Sequence, residues 1–379
     1  MPNWTRAVAE HVEPMPRARL WARTMHGHAD DDIVTAHAGS DATIRLTGPR
    51  LREQREEIER ATLDPAATFA AGAGNRAREE EPDPFRTCFE RDRDRIVHST
   101  AFRRLAGKTQ VVVYPTDHQR TRLTHALEVA QCAVAMARGI GANVTLADAM
   151  ALGHDCGHGP GGHASEDAFD EFIPEGYDHG PWGADVVLAG LNLCAETLDG
   201  IRNHSWSRPA PATIEGELVS WADRIAYCAH DLEDAIHAGI VAPGDVPAEV
   251  REVAGLTRRQ QLATFVNGVI ETTAATGRVG LDPVRASALA ELRRFNYERI
   301  YTRAESVRQS NTVVEILRSL VSFYLEQPAE MPDEYRTDDL VRGAVTYVGG
   351  MTDRFAFEQA RRLLGWDPRK LPRGIGRGA

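Results

Sequence analysis

The sequence predicts a mainly α-helical protein. From Phe85 onward, apolar residues recur three and four positions apart, which is the spacing of one helix face. Glycines follow several of these periodic segments, at places where helices commonly end. Alternating β-branched patterns are scarce apart from the stretch Gln110 to Tyr114. We therefore expect a helical body with little sheet and no repeat of fixed period.

The chain before this periodic region has a different character. Hydrophobic periodicity is weak until Ile58, so we expect residues 1–49 to form a flexible N-terminal extension. Residues 50–84 are expected to form a short helix and a mobile linker. Residues 66–74 are mostly Ala and Gly, and the acidic run 79–81 follows them.

The first clearly amphipathic helix is predicted from Leu123 to Arg138. Gly139 and Gly141 follow it and are expected to end it. His125 lies one turn before the apolar positions begin, so it is expected to point inward with them. The apolar face comprises Val129, Cys132, Ala133 and Met136.

A second helix is predicted to open near Thr145, where Asp148 three residues later resembles a weak capping box. It presents His154 and Asp155 at its C-terminal end. Its apolar face comprises Leu146, Ala149, Met150 and Gly153.

A third helix is predicted from about Thr213 to Ala238, ending at Gly239. Polar residues recur along it at every fourth position, which places them in one stripe. The stripe comprises Asp223, Tyr227 and Asp231. Later periodic segments predict further helices at Arg258–Thr272, Arg285–Arg303, Thr312–Tyr324 and Phe355–Leu364.

Charge and composition exclude some classes of protein. The chain of 379 residues carries 44 Lys and Arg against 55 Asp and Glu, a formal charge of −11. This balance argues against a protein whose main task is non-specific binding of nucleic acid, although a local basic cleft stays open. We find no apolar run near the roughly 18 residues of a membrane helix and no signal-peptide core. We therefore expect a cytoplasmic protein with no membrane partner.

The cysteines indicate neither a disulfide framework nor a thiolate metal site. They are five in number and contain no C-x-x-C pair. We expect them to pack as small hydrophobic residues. They are Cys88, Cys132, Cys156, Cys194 and Cys228.

Three histidines and two carboxylates fall within residues 153–166, where glycines allow tight turns. A single histidine such as His125 on an apolar face is more often a core residue than a ligand. Together with Asp223, however, residues on three successive helices form a nitrogen and oxygen donor set. That set, His125, His154, Asp155 and Asp223, suits Mn²⁺, Fe, Zn²⁺ or Mg²⁺.

These residues and their flanking runs resemble the H…HD…D signature of HD-domain phosphohydrolases, specifically the deoxyguanosine triphosphate triphosphohydrolase-like family. The resemblance covers roughly residues 50–365. The runs that carry it are 120–125, His154-Asp155 with Gly157 and His158, His163 with Glu166, and 222–227. Further matching runs are 92–99, 102–105, 108–110, 190–193, 196–201 and 350–354.

The resemblance implies an HD-domain helical phosphohydrolase fold with additional C-terminal helices. It places the HD core with its metal site in residues 85–240, and a helical region that completes the pocket and oligomer contacts in residues 241–379. It implies metal-dependent hydrolysis of a deoxynucleoside triphosphate, dGTP or a broader set, to the deoxynucleoside and inorganic triphosphate.

The resemblance also implies roles for individual residues. The donor set named above matches the metal ligands, with Mn²⁺ or Mg²⁺ expected first and Fe, Zn²⁺ or Co²⁺ as alternatives. His163 matches the catalytic histidine, and Glu166 is its partner. Substrate contacts are expected from Gln110, Arg122, His158, His179, Tyr227, Asp231 and Tyr301. Among these, Arg122 and the two histidines face phosphate, Tyr227 stacks against deoxyribose, and Gln110 and Asp231 hold the 3′-hydroxyl.

Partners follow from the same resemblance. Deoxynucleoside triphosphates are expected as substrate and as a candidate activator, and the chain is expected to form a homo-oligomer, a hexamer by analogy. The loop Gly159-Pro160-Gly161-Gly162 lacks the aromatic residue that many family members carry there. Two alternatives stay open: an HD phosphohydrolase of another nucleotide phosphoester, and a nucleotide-sensing or weak single-strand nucleic-acid-binding module.

Overall fold

The computed structural model describes residues 15–23, 25–30, 32–45, 48–111 and 119–372. It divides into two units, Met1–Pro49 and Arg50–Ala379. In the first unit, helix α1 (Pro16–Arg23) precedes a small antiparallel pair of strands, β1 (His28–Asp30) and β2 (Ile33–Thr35).

The described residues of the second unit are mainly helical, with short 3₁₀ and π-helical turns and some irregular segments between the longer helices. The helices are α2 (Arg52–Thr62), α3 (Cys88–His98), α4 (Thr100–Arg104), α5 (Arg122–Ile140), α6 (Val144–Gly153), α7 (Ala164–Phe169), α8 (His179–Trp182), α9 (Ala195–Asn203), α10 (Ile214–His237), α11 (Ala248–Ala254), α12 (Arg258–Thr276), α13 (Pro283–Asn296), α14 (Ala304–Glu326), α15 (Leu340–Gly349) and α16 (Asp353–Leu364). The mainly α-helical prediction is confirmed.

Helix α5 begins and ends close to its predicted limits. It continues through Gly139 and stops at Gly141, whose φ of 75° is a left-handed conformation that glycine adopts without strain. Helix α6 starts differently from the prediction. Its N-cap is Asn143, whose side chain accepts hydrogen bonds from the backbone N–H groups of the two residues after Val144. The predicted capping box at Thr145 and Asp148 is therefore wrong, and Asp148 instead pairs with Arg93 at 2.7 Å.

Helix α10 agrees with its prediction. Thr213 caps it by accepting a hydrogen bond from the backbone N–H of Gly216, and Gly239 follows its end with a φ of 71°. Its apolar face packs against α5, α6, α12 and α13. Three central helices, α5, α6 and α10, therefore share one core and place their polar residues in fixed positions.

Helices α12, α14 and α16 extend beyond the predicted segments, whereas α13 ends at Asn296, before the predicted limit at Arg303. Helix α12 continues to Thr276, α14 begins at Ala304, and α13 passes into a π-helical turn at Tyr297–Tyr301. Helices α7, α14, α15 and α16 enclose a second apolar cluster, distinct from the one around α5. All five cysteines are buried and free.

The expected strand from Gln110 to Tyr114 lies partly outside the described residues, because the structure does not describe residues 112–118. Within the described part, Thr109 pairs with Thr121 in an isolated bridge. None of the described helices combines the length and the apolar character needed to span a bilayer.

The segment between α2 and α3, predicted as a linker, packs against the helical body. Ala67 and Ala70 are buried in it. The guanidinium of Arg76 forms a fully buried ion pair with Asp92 of α3 at 2.6 Å. Asp92 also accepts hydrogen bonds from the backbone N–H of Cys194 at 2.8 Å and from the Thr197 hydroxyl at 2.7 Å. This carboxylate therefore joins the segment, α3 and α9.

Removing that carboxylate should destabilise the fold strongly. Asp92→Ala leaves the buried charge of Arg76 without its partner, and such a loss typically costs about 3–5 kcal/mol. Urea denaturation of wild type and variant measures the difference. Asp94→Ala is the control, since Asp94 lies on the same helix and forms partly exposed ion pairs with Arg86 and Arg93, worth about 1 kcal/mol or less. Equal midpoints for the two variants would contradict this account of Asp92.

Candidate metal centre and active site

Four predicted ligands converge from α5, the end of α6 and α10. His125 Nε2 lies 3.1 Å from Asp223 Oδ1, and His154 Nε2 lies 3.7 Å from the same oxygen. Asp155 Oδ1 is 3.5 Å from His154 Nε2. The helices are not successive as expected, because α7, α8 and α9 lie between α6 and α10. The intervening helices supply further residues of the site.

The turn after α6 needs a glycine. A Cβ added to Gly157 would lie 2.0 Å from the carbonyl oxygen of His179, so no larger residue fits between the turn and α8. The side chain of Lys108 supports the same turn by donating hydrogen bonds to the carbonyl oxygens of His158 and Gly349. Burial lowers the pKa of Lys108 to about 8. Lys108 thus stabilises the backbone of the turn that carries His158.

The local hydrogen bonds leave a metal-binding nitrogen free. His154 Nδ1 donates to the carbonyl oxygen of Ala151 at 2.7 Å, so in the neutral ring Nε2 carries the lone pair. That Nε2 is buried and has no hydrogen-bond partner among the described residues. Burial lowers the pKa of His154, which favours the neutral, ligating form. These observations fit a divalent cation beside His154.

The carboxylates have the charge that a cation requires. Burial opposes ionisation of Asp155, but Arg122 and the neighbouring histidines outweigh it and hold the pKa of Asp155 well below its usual value. Asp223 behaves alike: burial would raise its pKa, but the hydrogen bond from His125 and the charge of nearby histidines outweigh burial and hold that pKa below its usual value. For His125, the bond to Asp223 outweighs burial and raises the pKa. A bound cation would take the place of that proton.

Arg122 lies between the carboxylate cluster and the cavity. Its Nη1 donates to Asp155 Oδ2 at 2.7 Å. Its Nε and Nη2 are buried and without a hydrogen-bond partner among the described residues. A Cβ on Gly162, which has a φ of +65°, would come within 2.6 Å of Nη2. Arg122 therefore orients Asp155 and keeps donors available for a ligand.

Glu166 joins two histidines. Its Oε2 accepts a hydrogen bond from His163 Nδ1 at 2.7 Å, and its Oε1 accepts one from His179 Nδ1 at 2.7 Å. Burial would raise the pKa of Glu166, but these two hydrogen bonds outweigh it and hold that pKa far below its usual value. The sequence pairs Glu166 with His163 alone; the second histidine is a finding of the structure. His163 itself has a side chain that is 74% exposed and borders the cavity.

His204 is a site residue that sequence reasoning missed. It follows the end of α9, and its Nδ1 donates to the carbonyl oxygen of Ile201 at 2.8 Å, the arrangement also seen at His154. Its Nε2 lies 3.0 Å from His179 Nε2. Burial lowers the pKa of His204 to about 3, so the ring is neutral. Its place just after a helix, like that of His154, is the one signal in the sequence that could have found it.

The cluster opens into a cavity of about 420 Å³. The predicted substrate residues line it, from the stacked rings of His158 and His179, 3.7 Å apart, to the far end of the α10 stripe. There Tyr301 donates a hydrogen bond to Asp231, and burial raises the pKa of Asp231 to about 7. The predicted site residues that border the cavity are Gln110, Arg122, His125, Asp155, His158, His163, His179, Asp223, Tyr227, Asp231 and Tyr301.

Three further residues at the cavity wall were not anticipated. Arg224 lies over the ring of Trp206, with its guanidinium carbon 3.8 Å from the ring centroid. Arg293 Nε donates to the Tyr227 hydroxyl at 2.8 Å. Trp206 is half-exposed and comes from the loop after α9, so it supplies an aromatic wall that the glycine-rich loop lacks. The sequence around Trp206 contains no pattern that predicts its place at the cavity wall.

Comparison with known families agrees with this arrangement. The HD domain family matches residues 122–228, and the phosphohydrolase-associated domain family matches residues 279–362. The first match contains the four predicted ligands, and the second contains Tyr301. The fold and the site together define an HD-domain phosphohydrolase.

Two curated relatives narrow the family. The deoxyguanosinetriphosphate triphosphohydrolase-like protein of Caldanaerobacter subterraneus subsp. tengcongensis is 38% identical over 326 residues, covering 83% of this chain and 96% of the relative. The protein of the same name from Clostridium perfringens strain 13 is 37% identical over 334 residues, covering 83% and 97%. The chain belongs to the deoxyguanosinetriphosphate triphosphohydrolase-like family.

Proposed function

We propose that this protein hydrolyses deoxynucleoside triphosphates to the deoxynucleoside and inorganic triphosphate, with a divalent metal ion as cofactor. One observation carries the proposal. A single cavity joins the histidine and carboxylate cluster to the stripe of α10 that holds Tyr227 and Asp231. At a rise of 1.5 Å per residue, Asp223 and Asp231 are about 12 Å apart along the helix, so the stripe runs from the carboxylate cluster to the far end of the cavity.

The proposed metal ligands are His125, His154, Asp155 and Asp223, whose charge and lone pairs fit Mn²⁺ or Mg²⁺ and also Fe, Zn²⁺ or Co²⁺. When bound, the ion would polarise the α-phosphate and acidify a coordinated water, which is worth several kcal/mol at the transition state. The buried, unpaired Nε and Nη2 of Arg122 are placed to donate to phosphate oxygens.

His163 and Glu166 are the proposed proton-transfer pair. Because Glu166 accepts a hydrogen bond from the Nδ1–H group of His163, the Nε2 atom of that ring is the one available for the reaction. Glu166 also stabilises the protonated form of the His163 ring, since the Glu166 carboxylate stays ionised. In this role His163 exchanges a proton with the attacking water or the departing 5′ oxygen.

Tyr227 is proposed to exclude ribonucleotides. Its hydroxyl is held by Arg293, so the ring is fixed at the cavity wall between Asp223 and Asp231. Tyr227→Ala should relax the preference for deoxyribonucleotides over ribonucleotides by about tenfold or more, because the wall that meets the 2′-hydroxyl is gone. The ratio of kcat/KM for a matched deoxy and ribo pair measures this.

Tyr227→Phe is the matched control for that experiment. It keeps the ring and loses only the hydroxyl that Arg293 contacts. We expect it to retain most of the wild-type preference. An unchanged ratio in Tyr227→Ala would remove Tyr227 from sugar recognition.

The proposed activity is tested by incubating the metal-loaded protein with each deoxynucleoside triphosphate, alone and in mixtures, and separating the products. We expect deoxynucleoside and triphosphate, lost on chelation and restored by Mn²⁺ or Mg²⁺. Activity in mixtures alone would indicate activation by a second nucleotide. A parallel Asp223→Ala preparation excludes a contaminating phosphatase.

Other products would redirect the assignment. Pyrophosphate or orthophosphate would indicate an HD phosphohydrolase that acts on another phosphoester. No product with any metal, together with salt-dependent binding of single-stranded DNA, would favour a binding module. Sedimentation of the same sample tests the proposed homo-oligomer, expected as a hexamer.

A further inference from the structure

We propose that Asp353 is a positioning residue of the active site. Its carboxylate joins two segments, residues 108–110 and 159–163, that flank Arg122. Asp353 begins α16 and belongs to the run 350–354, a sequence match to which the proposed function gives no role. The side chain is buried and does not border the cavity, so it acts on the reaction only through other residues.

Each oxygen of this carboxylate holds one segment. Oδ2 accepts hydrogen bonds from the backbone N–H of Thr109 at 2.9 Å and from the Thr109 hydroxyl. Oδ1 accepts a hydrogen bond from the backbone N–H of Gly161 at 2.8 Å. Because a backbone N–H group can only donate, both oxygens of Asp353 must accept. One buried carboxylate therefore determines the separation of the two segments.

Arg122 lies where the two segments meet. Its backbone N–H donates to the carbonyl oxygen of Lys108 at 3.2 Å, and Thr109 pairs with Thr121 just before it. On the other side, a Cβ added to Gly162 would lie 2.6 Å from Arg122 Nη2 and 3.0 Å from the carbonyl oxygen of Thr109. Because these contacts are close, a change in the separation of the segments displaces the guanidinium of Arg122.

The same segments carry two further residues of the proposed reaction. Gln110 follows Thr109 and borders the cavity, and its Oε1 is buried without a hydrogen-bond partner among the described residues. A buried acceptor of this kind is suited to a ligand hydroxyl. His163 follows Gly162 in the other segment. Asp353 therefore acts on a donor to phosphate, an acceptor for the sugar and a proton-transfer residue together.

Asp353→Asn tests this connection in the absence of substrate. The amide offers one oxygen and one NH₂ group, so one of the two backbone N–H groups loses its acceptor and faces another donor. Hydrogen–deuterium exchange on the full chain measures the effect. We expect faster exchange in the peptides around Thr109, around Gly161 or around both, because a lost acceptor favours local opening. Wild-type exchange in both peptides would overturn the proposal.

The kinetic consequences rest on the proposed function. A displacement of about 1 Å can cost about 10²-fold in rate, so we expect Asp353→Asn at saturating Mn²⁺ to lose about 10- to 10²-fold in kcat/KM. It should also lose part of the preference for a deoxynucleoside triphosphate over its 2′,3′-dideoxy analogue, because Gln110 is displaced from the 3′-hydroxyl. A smaller folded fraction lowers both rates equally and leaves their ratio unchanged. An unchanged ratio would therefore overturn the proposal.

Thr352→Ala is the matched control. Thr352 caps α16 by accepting a hydrogen bond from the backbone N–H of Phe355, and its loss weakens the same helix start. The Asp353 carboxylate keeps its donors in this variant. We expect wild-type exchange around Thr109 and Gly161 and a wild-type ratio. A fall in the ratio equal to that in Asp353→Asn would overturn the proposal by assigning the effect to the helix.

Two variants of Thr109 keep the test decisive if Asp353→Asn misfolds. Thr109→Val keeps the shape of the side chain and removes the hydroxyl that donates to Asp353, whereas Thr109→Ser keeps that donor. We expect a lower ratio in the first and a ratio near the wild type in the second, and equal ratios would overturn the proposal. Failure of the proposed function is distinct, because the wild type would then hydrolyse no deoxynucleoside triphosphate while the exchange measurement still tests Asp353.

Discussion

Asp223→Ala should lose its bound metal and at least about 10³-fold in kcat/KM, consistent with the several kcal/mol that a metal ion contributes to such a transition state. The reason is geometric. Asp223 Oδ1 lies 3.1 Å from His125 Nε2 and 3.7 Å from His154 Nε2, so this one atom faces both histidines. Its side chain is partly exposed, so the fold should survive its removal.

Elemental analysis and steady-state kinetics on the same preparation measure both effects. Asp185→Ala is the matched control, since Asp185 pairs with Arg202 at the surface and lies away from the cavity. We expect this control to keep its metal and its activity. Normal metal content together with normal turnover in Asp223→Ala would contradict the ligand assignment.

His163→Ala should retain metal and lose about 10²–10⁴-fold in kcat, the usual contribution of a positioned proton-transfer group. His163 is not among the four proposed metal ligands, so metal analysis should match the wild type. Because its side chain is 74% exposed, added imidazole can reach the vacated space and should restore part of the rate.

Glu166→Gln complements that experiment. It keeps the size of the side chain but removes the charge that stabilises a protonated His163, so we expect a smaller loss in kcat than in His163→Ala. The two losses should not add in the double variant, since both residues act through one ring. Unchanged kcat in His163→Ala would exclude it from the mechanism.

The central helices could be predicted because local rules determine them. Regular apolar spacing and a following glycine place α5 and α10 within a few residues of their observed limits. The start of α6 was missed because Asn143, a strong N-cap, lies just before the apolar pattern begins. Helix α14 begins well before its predicted segment. Its first turns were missed because they present polar residues to solvent and so lack the apolar spacing on which the prediction depends.

The site residues likewise divide into those that a sequence motif predicts and those that only the three-dimensional structure reveals. The four proposed metal ligands lie in the matched signature, and the structure brings them to one place. His204 and Trp206 could not be foreseen, because they reach the cavity only through the path of the chain between α9 and α10. The double role of Glu166 also depends on the approach of α8 to α7, which no local pattern encodes.

The most direct test of the central claim is hydrolysis of a deoxynucleoside triphosphate in ¹⁸O-labelled water, followed by ³¹P NMR. Attack of water on the α-phosphorus predicts one phosphorus product, triphosphate, with the isotope shift on a terminal phosphorus and none in the released deoxynucleoside. Signals of pyrophosphate with a nucleoside monophosphate, or of orthophosphate with a diphosphate, would contradict the claim by placing bond cleavage elsewhere in the chain of phosphates.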